Sequence, residues 1–141
     1  MTYVPATLKR QVYQRASGCC EYCLVHQDDY DIRFHIEHII AIAQGGKTIY
    51  ENLCLSCPRC NLYKGTNIAG ADPVTGAPTF IFHPRLHNWT EHFQIKDEFI
   101  EPLTPEGRVT TFLLRLNQEE RLEERRLFIA LERYPCREEQ P

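Results

Sequence analysis

The chain has 141 residues, 43% hydrophobic and 25% charged, with a formal net charge of −3. That is the composition of one compact domain, or of a small module with an elaborated tail, and it excludes a wholly disordered chain. It also excludes a protein that coats nucleic acid through uniform positive charge, and no apolar run reaches the roughly 18–20 residues that cross a bilayer.

In chain order, Leu8, Val12 and Ala16 mark a helical stripe over residues 6–17, which Gly18 closes. Residues 28–31 read as a loop, and Ile32, Phe34 and Ile36 alternate with polar residues as a half-buried strand. Gln44-Gly45-Gly46 is a turn, Asn52 to Leu55 a second short strand, and Pro58 opens a helix running through Lys64 to Gly65. Residues 66–79 are turn-rich and read as a long loop. Short strands are expected at 79–82, 92–95 and 99–100, then a helix near 108–116. A charged helix follows to about Tyr134, its mixed charges read as a solvated face.

Seven cysteines with no secretory signal at Met1 to Arg10 point to a cytoplasmic chain in which cysteines hold metal rather than form disulfides. Cys20-Glu21-Tyr22-Cys23 and Cys57-Pro58-Arg59-Cys60 share the Cys-x-x-Cys spacing that aims two sulfurs at one point. Two such turns supply the four thiolates of a tetrahedral structural Zn²⁺ site. A thioredoxin-like redox pair is the alternative, but no strand–helix pattern flanks either turn. Four thiolates and one Zn²⁺ leave about two negative charges, for which Arg15, Arg59 and Lys64 are the nearby cations in sequence. Cys54 reads as a small core residue, and Cys136 sits in a polar tail.

Between the turns lie Glu37-His38, Gly45-Gly46 and Asn52, with Asn61 directly after Cys60. A carboxylate and an amide oxygen suit a hard divalent cation, and an imidazole suits a general base. The order Cys-x-x-Cys, acidic residue plus His, Gly-Gly, Asn-Leu, Cys-x-x-Cys-Asn-x-x-Lys from Cys20 to Lys64 resembles the HNH endonucleases of the zinc-bearing, four-cysteine branch. The resemblance implies an α+β fold: a ββα-metal core over 1–66 stapled by zinc, with an N-terminal helix and an extension of short strands and helices over 67–141. It implies metal-dependent hydrolysis of phosphodiesters in DNA, with RNA not excluded. His38 takes the place of the general base, Glu37 and Asn61 those of the Mg²⁺ or Mn²⁺ ligands, and Asn52 that of the residue bracing the catalytic loop. Two positions depart from the common pattern: Glu37 stands where the family commonly has Asp, and Ala41 where it often has Pro.

Arg59, Lys64, Arg85 and His35 are the expected nucleic-acid contacts. No membrane partner is expected, and the lack of a recognisable recognition module leaves room for a helper protein in targeting. A non-catalytic zinc-dependent nucleic-acid-binding module is the alternative; it needs the four cysteines but not Glu37, His38 and Asn61 together.

Overall fold

The computed structural model describes residues 3–136. Helix α1 (Ala6–Ala16) buries Val12 and Ala16 and ends at Ser17 in the left-handed region, as the stripe and the small residues beyond it require. Strands β1 (His35–His38) and β2 (Leu53–Ser56) form an antiparallel pair with Glu37 opposite Cys54 and His38 opposite Leu53. Helix α2 (Pro58–Lys64) follows at once. Proline occupies its first turn, where no amide donor is needed, and the Cys57 sulfur caps it by accepting from the Cys60 amide.

The first strand begins later than expected. Ile32 is exposed, and the Phe34 amide is held by the Gln27 side-chain oxygen, so pairing starts at His35 and carries Glu37 and His38 on the strand itself. The span 66–79 is not a single loop. It contains β3 (Ala69–Ala71), paired with β4 (Pro78–Phe80) across a turn that Asp72 organises by accepting from the Val74 amide and the Thr75 hydroxyl. A helical turn α3 (Trp89–His92) leads into the hairpin β5 (Phe93–Lys96) and β6 (Phe99–Pro102).

Helix α4 (Pro105–Leu113) starts three residues before the expected 108. Thr104 caps it by accepting from the Gly107 amide, so Thr-Pro-Glu-Gly is its cap and first turn rather than a preceding loop. Asn117 then breaks the helical run and pairs with both backbone groups of Ile100. Helix α5 (Glu119–Ala130) ends before Tyr134.

The fold is mixed α and β, with one main core shared by both halves of the chain. Tyr22, Val25 and Leu55 pack together with Phe82, Phe93, Ile100, Leu114 and Phe128. The extension is also tied to the first cysteine turn by polar contacts. The Trp89 indole donates to the Tyr22 carbonyl at 2.8 Å, and the Tyr134 hydroxyl donates to the Cys23 carbonyl at 2.7 Å. No helix among the described residues is long and apolar enough to cross a membrane.

Candidate metal centres and catalytic loop

The four Cys-x-x-Cys sulfurs lie within 4.8 Å of one another, and all four cysteines are buried. The first turn closes through the Leu24 amide on the Cys20 carbonyl (3.0 Å) and the Cys20 amide on the Val25 carbonyl (2.8 Å), with Leu24 at φ 67°. Burial alone pushes the Cys20 thiol well above its ordinary pKa, and the neighbouring sulfurs add to the rise. Four thiolates can coexist there only around a cation, and four sulfurs at this spacing fit Zn²⁺.

The cations expected around this centre face elsewhere. Arg59 pairs with Glu124 at 3.4 Å, and Arg15 donates to the Tyr50 and Leu53 carbonyls while stacking on the Tyr50 ring. Lys64 turns to Glu37. The charge near the sulfurs comes from α5 instead: Arg121, 3% exposed, places Nη2 at 3.0 Å from the Cys60 sulfur. Burial works against its charge, but Cys60, Cys23 and Cys57 outweigh that and hold the guanidinium firmly protonated. The solvated-face reading of this helix therefore fails for Arg121 and Arg125, which are both buried. Cys19 and Cys136 form a disulfide, which corrects the expectation that the cysteines hold metal rather than pair with one another.

At the other end of the β1–β2 hairpin, Glu37 is 8% exposed and Lys64 is fully enclosed, with Nζ 2.8 Å from the Glu37 Oε2. Glu37 Oε1 is buried and accepts no hydrogen bond among the described residues. Burial raises the Glu37 carboxyl above the usual carboxylate range, and the Lys64 ammonium reverses only part of that. Asn61 stands three residues before Lys64 on α2, hence on the helix face that delivers Lys64 to β1. A buried carboxylate oxygen without a hydrogen bond is the kind of donor a hard divalent cation takes.

His38 is the next residue on β1, with Nε2 2.8 Å from the Thr48 hydroxyl. Burial, then the charge of Lys64, lowers its pKa from the ordinary histidine value, so the ring is neutral near pH 7. The loop after it is held by Asn52. Its Oδ1 accepts from the Ile40 amide at 3.0 Å, and its Nδ2 donates to the Ile40 and Lys47 carbonyls at 2.9 Å each. Gly46 is required here, because a Cβ would lie 1.8 Å from the Ile40 carbonyl oxygen.

Of the expected nucleic-acid contacts, His35 is exposed at the start of β1 and Arg59 is half-exposed on α2. Lys64 is not an outward contact, since it is enclosed as the partner of Glu37. Arg85 turns inward to the buried Glu21, whose other oxygen accepts from the Leu55 amide. Sequence reasoning missed Thr48 and Arg121. Thr48 carries no signal of its own, but Arg121, Arg125 and Phe128 follow the i, i+4, i+7 spacing of a buried face.

The hairpin carries Glu37 and His38 towards one end and the four-sulfur cluster at the other, and the helix that follows supplies both Cys60 and Lys64. Residues 20–67 match the family described as HNH endonuclease, which bears out the resemblance over that segment. The chain is also similar to the Septu protein PtuB of Bacillus thuringiensis, with 25% identity over 125 residues. The match covers 87% of this chain and 46% of that protein, so the chain spans about half the length of this curated relative. No solved structure matches. The HNH match points to nuclease or nucleic-acid-related function, and the cysteine cluster is compatible with zinc.

Proposed function

We propose that the protein is a metal-dependent endonuclease that hydrolyses phosphodiester bonds in DNA. The observation that carries this reading is the buried Glu37 oxygen without a hydrogen-bond partner, followed on β1 by a neutral His38 at the edge of a braced loop. Glu37 and Asn61 would hold Mg²⁺ or Mn²⁺, which when bound neutralises charge on the phosphate and the departing oxygen.

The chain's own residues supply the rest. His38, uncharged, keeps a lone pair for the proton of the attacking water. Asn52 fixes the loop after His38, so the imidazole and the carboxylate stay in register while substrate binds. Lys64 favours the ionised form of Glu37 and offsets part of the rise that burial imposes on the carboxyl. The four-cysteine centre fixes α2, and so Asn61, against β1. His35 and Arg59 are the remaining exposed or half-exposed candidates for contacts to the phosphate backbone.

Supercoiled plasmid incubated with Mg²⁺, Mn²⁺ or EDTA tests the reading. Cleavage by the wild type with metal, lost in EDTA and in His38→Ala of equal zinc content, is the expected result. Metal-dependent DNA binding without cleavage would favour the non-catalytic module, and equal cleavage by both proteins would place the activity elsewhere. A helper protein in targeting belongs to the same proposal, and so does the boundary near residue 66 between nuclease core and extension.

A further inference from the structure

Arg121 reaches the sulfur centre from a helix that the family match does not cover, since that match ends at residue 67. Its guanidinium bridges two parts of the molecule. Nη2 lies 3.0 Å from the Cys60 sulfur and 3.9 Å from the Cys57 sulfur, while Nη1 donates to the Leu114 carbonyl at 2.7 Å, in the turn between α4 and α5. Arg125, one turn later and equally enclosed, does not make this bridge. It donates to the Glu98 carbonyl and the Asn117 side chain, at the β5–β6 hairpin.

We propose that Arg121 is the internal counter-cation of the four-cysteine metal centre, so that the extension and the bound zinc hold each other in place. A buried guanidinium needs a partner of opposite charge, and the metal-held thiolates are that partner. In return, charge-assisted N–H···S contacts hold Cys60 and Cys57 in place and slow the loss of metal. Removing zinc frees the four sulfurs to separate, so the guanidinium loses its fixed partner and α4 and α5 loosen. The inference needs only the four-sulfur centre and stands whether or not the protein cuts DNA.

The test is zinc release to a chromogenic chelator from the wild type, Arg121→Met, Arg121→Lys and Arg125→Met, with each protein's zinc content measured first. Arg121→Met should release zinc at least about tenfold faster, in line with the loss of an outer partner of a metal ligand. Arg121→Lys should fall between it and the wild type, and Arg125→Met should stay close to the wild type. Release from Arg125→Met as fast as from Arg121→Met would reduce the effect to general destabilisation and overturn the proposal. Unchanged release from Arg121→Met would also overturn it, as would a wild type that binds no zinc. Should Arg121→Met not fold, hydrogen exchange of the wild type decides. Chelation should raise exchange across 105–130, and protection there equal to that of the zinc-bound protein would refute the coupling.

Discussion

The two ends of the β1–β2 hairpin differ in how completely their polar groups are satisfied. Around Cys20, Cys23, Cys57 and Cys60 the sulfurs face one another, the knuckle amides are paired, and a buried arginine supplies charge. Around Glu37 and His38 one carboxylate oxygen has no hydrogen-bond partner, and the imidazole is partly exposed. A closed, saturated centre serves structure, whereas chemistry needs a ligand position left over for water and substrate. The same short hairpin and helix carry both, which is how a small domain holds a reactive site rigidly.

Breaking the open end should cost activity first. His38→Ala removes the proposed general base and should lower plasmid cleavage by roughly 10²–10⁴-fold, with zinc content and melting temperature unchanged. A parallel loss of zinc would mean that the two ends are not separable.

Next in size is the Glu37–Lys64 pair, at the same end as His38. Glu37→Gln leaves the enclosed Lys64 ammonium without its partner and should destabilise the fold by about 3–5 kcal/mol in urea unfolding. Adding Lys64→Met should recover most of that stability without restoring cleavage. Failure of the second substitution to recover stability would argue against the pair as observed.

Asn52→Ala should have a smaller effect. It strands the Ile40 amide and two carbonyls, at about 1–3 kcal/mol for a buried group left unpaired. Thermal unfolding should register the loss, and cleavage should fall because the loop after His38 is no longer fixed.

The smallest expected effect is in pH. His38 has its pKa lowered by burial and by Lys64, so it binds its proton less readily than a free histidine does. The acid limb of the cleavage rate should therefore lie below about pH 6.5, the ordinary histidine value. A limb above that value would mean that the ring is stabilised in its charged form, contrary to the site described here.

The two ends were not equally legible in the sequence. Cys-x-x-Cys spacing and Pro58 after Cys57 act through local geometry, so the four-sulfur cluster and α2 could be read directly. Asn52 was legible as a loop brace only through the family resemblance, since its partners Ile40 and Lys47 are set by how the loop folds back. The extension depends on contacts distant in sequence. β3 is Ala-Gly-Ala and carries no strand signal until β4 pairs with it. Arg121 and Arg125 look like surface charges until the sulfurs, a loop carbonyl and Asn117 surround them. Lys64 reads as a phosphate contact because its burial depends on how α2 packs against β1.

Metal stoichiometry tests the central contrast most directly. Elemental analysis of the purified wild type and Glu37→Gln would be combined with a Mn²⁺ titration followed by electron paramagnetic resonance. The account expects one tightly held zinc per chain in both proteins, and a second, exchangeable Mn²⁺ site present in the wild type and lost in Glu37→Gln. Zinc absent from the wild type, or Mn²⁺ binding indifferent to Glu37, would contradict it.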